Sequence, residues 1–120
     1  MGLDIWFTKK TTIELKFFRK VNFLITFFEK YGLDVDNQTP LRINEDMIKD
    51  LINACNTVLE NHEEAPKVLP TTPGFFFGSL AYDDSYFEDV KEVKQTCEEI
   101  ILPEMENAAN DEEFNFEIWY

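Results

Sequence analysis

Carboxylates at helical spacing are the residues of this chain best placed to do chemistry. Asp83, Asp84, Glu88, Asp89 and Glu92 open a predicted helix at short intervals, so several share a face and lie near the end of the helix dipole that favours negative charge. Grouped oxygens of this kind can hold a hard cation such as Mg2+ or Ca2+, or present an acidic docking face to a basic partner. A solvated helix start accounts for them without either. A second oxygen-rich stretch, residues 34–45, carries Asp34, Asp36, Gln38 and Glu45 in the outline of a calcium loop, but Thr39 replaces the turn glycine and Pro40 follows it. It reads as a polar connection.

Nucleophile and transition-metal chemistry find little here. The chain holds one histidine, His62, and two cysteines, Cys55 and Cys97, in no zinc-ligand spacing. His62 is two helical turns beyond Cys55, too far along one helix to activate the thiol. Each cysteine falls on an apolar stripe, which predicts buried free thiols packed as small hydrophobes. The block Gly74-Phe75-Phe76-Phe77-Gly78-Ser79 lacks the lysine and spacing of a phosphate loop, and Ser79 has no evident base. No catalytic residue, metal set or cofactor motif emerges, and the expectation is a non-enzymatic chain without a cofactor.

Charge and aromatic content say more about partners. The formal net charge of −13 is unevenly placed: residues 1–60 hold 8 basic against 9 acidic residues, and residues 61–120 hold 3 against 15. Such a field repels nucleic acid and acidic membranes and favours a basic protein surface, although it also keeps a chain with 12 Phe in solution. Lys9, Lys10, Lys16, Arg19 and Lys20 form the one basic concentration, with Trp6 nearby. A direct nucleic-acid contact there would work against the global field.

The elements that must position these residues follow from periodicity. Leu3, Ile5 and Phe7 alternate as in a strand, as do Phe114, Phe116, Ile118 and Tyr120, so both termini are expected in one small sheet. From Glu14 to Tyr31, Phe17, Val21, Leu24, Phe28 and Tyr31 recur at helical spacing, and Phe23 and Phe27 widen the apolar arc, so the predicted helix is either central or offers a second face to a partner. Asn44 caps a second helix with Ile48, Leu51, Ile52, Cys55, Val58 and Leu59 inward. Residues 65–82, rich in Pro and Gly, exclude a helix and make a loop or a short inner strand around the Phe triplet. A third helix, capped by Asp84 or Ser85, points Tyr86, Val90, Val93, Cys97, Ile100 and Ile101 inward and ends or kinks at Pro103. Residues 104–113 read as a solvated connection.

The blocks Met1-Gly2-Leu3-Asp4, Glu14-Leu15-Lys16-Phe17-Phe18-Arg19-Lys20-Val21-Asn22 and Gly74-Phe75-Phe76-Phe77-Gly78-Ser79, with Tyr82-Asp83 and Tyr86-Phe87-Glu88-Asp89, resemble a group of small uncharacterised proteins of bacteriophages and prophages. The resemblance spans most of the chain. It implies a bacterial host cytoplasm as the setting and no mechanism.

The expectation is therefore one α+β domain over residues 1–120, with three main helices packed on a small sheet that includes both terminal strands. No run of residues is apolar for long enough to cross a membrane, and the start lacks a signal-peptide pattern, so a cytoplasmic protein is expected. The leading functional expectation is a phage-type interaction protein that binds a host or phage protein, including a basic nucleic-acid-handling one through mimicry of nucleic acid. Asp83, Asp84, Glu88, Asp89 and Glu92 are its acidic candidates, and Phe23, Phe27, Phe75, Phe76, Phe77, Tyr82 and Trp119 its aromatic ones. Self-association is a further use of the same charge asymmetry. The alternative is a small-ligand module with the 74–82 loop as a lid over an apolar pocket, and a divalent-metal enzyme is the third reading.

Overall fold

Alternating apolar residues at both chain ends meet in the middle of one antiparallel sheet. The computed structural model describes residues 2–10, 13–32, 35–74, 77–109 and 112–120. Strands β1 (Asp4–Lys9) and β4 (Phe114–Trp119) pair centrally, with Ile5 opposite Ile118 and Phe7 opposite Phe116. Strand β2 (Ile13–Arg19) lies outside β1, and β3 (Leu41–Ile43) lies outside β4, giving the order β2-β1-β4-β3. The α+β class, with both terminal strands in the sheet, is as expected from the sequence.

The inward face of the sheet is aromatic and fully covered. Ile5, Phe7, Phe18, Phe114, Phe116 and Ile118 are buried there, and α1 (Phe23–Glu29) sets Phe28 against Phe116 at 4.4 Å between ring centres and against Phe7 at 6.2 Å. Each such ring removed from water contributes about 2 kcal/mol. Helix α2 (Glu45–Glu60) begins where the Asn44 side chain accepts the Met47 N–H at 2.9 Å, a cap that contributes about 1 kcal/mol. Its Ile48, Leu51, Cys55 and Val58 are buried, and the helix packs against α4 (Asp84–Thr96).

Several local expectations are corrected. The stretch Glu14 to Tyr31 is not one helix: β2 takes its first part, because Phe17 and Phe18 gain cross-strand partners in Trp6 and Ile5, and only residues from Phe23 onward coil. Phe23 and Phe27 are consequently core residues, each 2% exposed, and α1 has no free apolar face. Between α2 and α4, a 3-10 turn (His62–Glu64) runs into a single turn of helix, α3 (Ala65–Val68), with Pro66 in its first turn, where a missing N–H costs nothing. Of the two alternatives left open around the Phe triplet, residues 77–80 take the loop rather than the strand.

Asp83, one residue before the expected caps, accepts the Tyr86 N–H and starts α4. Of the two outcomes expected at Pro103, an end or a kink, the helical path does not end there. A π turn (Cys97–Ile101) intervenes, and α5 (Leu102–Glu106) continues with the proline in its first turn. Within the π turn Cys97 and Ile101 are buried, whereas Ile100 is turned outward rather than inward. No helix among the described residues is long and apolar enough to cross a membrane.

Candidate functional site

Two surfaces carry the side chains singled out in the sequence, and they lie in different layers. The first is the side of the sheet that faces away from α1. Alternation along β1 and β4 places Asp4, Trp6 and Thr8 beside Asn115, Glu117 and Trp119 there, and β2 adds Phe17. Trp6 is the hub: its ring centre lies 5.1 Å from Phe17 and 5.8 Å from Trp119. Each indole N–H donates to a neighbouring carboxylate, Trp6 to Glu14 at 3.0 Å and Trp119 to Glu117. Among the described residues the ring contacts and side-chain hydrogen bonds of these three aromatics are to the same sheet, and Phe17 and Trp119 remain 38% and 46% exposed. Thr8 and Asn115, direct cross-strand partners beside the platform, are buried, and among the described residues neither Thr8 Oγ1 nor Asn115 Nδ2 has a hydrogen-bond partner.

The second surface is a cleft of about 220 Å3 at the start of α4. It is bounded by residues 19–23, by the loop that includes Gly78 and Ser79, and by Asp83, Ser85, Tyr86 and Asp89. Asn22 builds it. That residue stands at the N-cap position of α1 without capping the helix; its Nδ2 donates instead to the carbonyls of Phe77 at 2.9 Å and Ser79 at 3.0 Å, and its Oδ1 accepts the Thr72 N–H at 2.9 Å. Residues 19–22, 78–79, 83, 86 and 89, read above as separate blocks of sequence, meet here.

The acidic candidates divide accordingly. Asp83 is committed to its cap, Glu92 lies 3.6 Å from Lys16, and Glu88 lies 3.7 Å from Lys91. Asp84 is exposed on the outer side of α4. Asp89 differs: it is half-buried in the cleft, and desolvation, together with the charges of Glu92 and Asp83, pushes its carboxyl up to about 6. Among the described residues no group of three or more His, Cys, Asp and Glu side chains is placed to hold a metal ion.

The aromatic candidates scatter. Trp119 lies on the open sheet, and Phe23 and Phe27 are buried. Phe77 packs on Tyr120 at 5.0 Å, whereas Phe75 and Phe76 lie outside the described residues. Tyr82 packs on Tyr86, and its hydroxyl accepts the Thr71 N–H at 3.1 Å, which ties the loop to α4. The cleft beside that loop is lined by apolar side chains, Val21, Phe23 and Ala81 among them, as well as by charged and hydroxyl-bearing ones.

Sequence reasoning did not single out Phe17 and Asn22 as site residues and gave Trp6 only a passing role. Pairing of β1 with β2 assembles the platform, and no periodicity within either segment encodes that pairing. The basic concentration is largely neutralised: Lys9 and Lys10 reach Glu112, Lys16 reaches Glu92, and Arg19 reaches Asp4. In the calcium-loop outline, Asn37 spends its side-chain amide on the backbone of Tyr120, and Asp34 lies outside the described residues.

Cys55 and Cys97 are buried free thiols, and desolvation pushes Cys55 up to about 12 and raises Cys97 as well. The His62 ring stacks on Phe87 at 3.7 Å. No protein-family model, curated protein or solved structure matches this chain.

Proposed function

We propose that this chain is a non-enzymatic, phage-type interaction protein that docks a basic segment of another protein on the open face of its sheet. The observation that carries the reading is the Trp6, Phe17 and Trp119 platform with Glu14 and Glu117 hydrogen-bonded at its edges. Aromatic faces attract a guanidinium or ammonium group by about 0.5 to 2 kcal/mol each. A carboxylate that accepts one indole N–H keeps further lone pairs for the same cation. Arginine from a partner can therefore stack on the indoles while its fork meets Glu14 or Glu117.

Bases of single-stranded nucleic acid also stack on such platforms, but their phosphates would approach a chain of net charge −13. The same field speeds the encounter with a basic partner, and Asp84 and Glu88, exposed on α4, add to it. A basic nucleic-acid-handling protein of a bacterial cytoplasm fits this chemistry.

The test is affinity capture from bacterial lysate at low and high salt with the wild type, the pair Trp6→Ala and Trp119→Ala, and the pair Asp84→Lys and Glu88→Lys. The expected result is a basic protein retained by the wild type and lost with the tryptophan pair. Unchanged retention by the tryptophan variant overturns the reading. Loss only in the α4 variant transfers the docking face to the acidic helix. Recovery of the chain alone, as a dimer that the tryptophan pair disrupts, makes the occupant a second copy.

A further inference from the structure

The cleft at the start of α4 carries opposite charges that do not pair with one another. Arg19 and Lys20 come from the end of β2, while Asp83 and Asp89 come from α4. Arg19 keeps its Nε 3.3 Å from Asp4, and Asp83 is occupied as the helix cap, which leaves Lys20 and Asp89. Among the described residues neither of these two has an ion-pair partner, although both line the same space.

The backbone fixes where the cationic arms leave the chain. Lys20 has a left-handed φ of 60°, and its stem lies so close to Gly78 that a Cβ there would stand 3.1 Å from the Lys20 Cβ. Gly78 itself has a φ of +89°, and Asn22 fixes the carbonyls on either side of it. A side chain at position 2 would likewise stand 3.0 Å from the Arg19 guanidinium. The cationic arms are thus packed against two glycines, and the carboxylate is fixed on a helix. Ser79 and Ser85 also line the cleft.

We propose that this cleft binds a small zwitterion of amino-acid size, its ammonium group taken by Asp89 and its carboxylate by Lys20 with help from Arg19. The volume of about 220 Å3 is below that of sites for drug-sized molecules and matches a ligand with few heavy atoms. A ligand that brings both charges satisfies both walls at once, whereas a simple anion meets Asp89 and a simple cation meets Lys20 with like charge. The site is independent of the aromatic platform, and its failure leaves the docking reading untouched.

The standard amino acids are titrated singly into 15N-labelled protein and followed by amide chemical shifts, with Asp89→Asn, Lys20→Met and Asp84→Asn as variants whose folding is verified by thermal melts. At least one amino acid should shift the amides of residues 19–22, 78–81 and 83–89. Its affinity should fall about tenfold or more in Asp89→Asn and in Lys20→Met and stay unchanged in Asp84→Asn. The decarboxylated amine of the same ligand should bind weakly. The proposal is overturned if no amino acid shifts these amides at about 10 mM, if binding survives both cleft variants, or if the bare amine binds as well as its parent.

Discussion

Asn22 and Thr72 exchange hydrogen bonds across 50 residues of chain: the Thr72 N–H donates to Asn22 Oδ1 at 2.9 Å, and the Thr72 hydroxyl donates to the Asn22 carbonyl at 2.8 Å. This pair, with the two carbonyls that Asn22 also holds, ties residues 71–74 and 77–81 to the entrance of α1. Asn22 is buried, so its amide supplies partners that water cannot replace, alongside the Thr71 bonds to Tyr82 and Leu80.

Replacing Asn22 by Ala strands the Thr72 N–H and the Phe77 and Ser79 carbonyls, and the expected cost is about 3 kcal/mol. Urea denaturation measures it. Amide exchange should quicken first in residues 71–81, while α2 keeps its protection. A uniform loss of protection would show that Asn22 supports the whole core rather than the loop.

Both tryptophans of the chain, Trp6 and Trp119, belong to the open face of the sheet, so intrinsic tryptophan emission reports on that face alone. Binding of a basic partner should change emission and protect both indoles from acrylamide quenching. Titration of an amino acid into the α4 cleft should leave emission unchanged. The reverse pattern would interchange the two sites.

Asp89 gives a pH dependence with a defined sign. Its folded carboxyl titrates near 6, above the ordinary value of 3.8, so the folded state binds this proton more tightly than the unfolded state. The resulting penalty is absent below the ordinary value, grows as pH rises between the two values, and is complete above 6. Because the group is only half-buried, solvent screening leaves a gain of about 1 kcal/mol for Asp89→Asn at neutral pH, vanishing near pH 4. Chemical melts of the two proteins across this range measure the difference. A gain independent of pH would mean that the carboxyl is not desolvated.

Cys55 and Cys97 should be inert in the folded protein, since burial raises both thiols and leaves little thiolate at neutral pH. A chromogenic disulfide reagent should react with both in denaturant and with neither, within minutes, under native conditions. Rapid reaction of one native thiol would place it at the surface.

By itself the sequence determined those elements whose signals are local. Alternation marks β1 and β4, the Asn44 side chain marks the start of α2, and apolar spacing marks the buried faces of α2 and α4 within a residue or two. It also determined the charge asymmetry, which needs no fold. Tertiary structure alone decided that Glu14 to Arg19 is a strand, because its helix-like spacing is outweighed by pairing with β1, and that pairing turned Phe23 and Phe27 inward. It alone gathered Trp6, Phe17 and Trp119 on one face, and brought Lys20 to the same cleft as Asp89. Caps and periodicity are written in neighbouring residues, whereas cross-strand register and the meeting of distant loops are set by how the whole core packs.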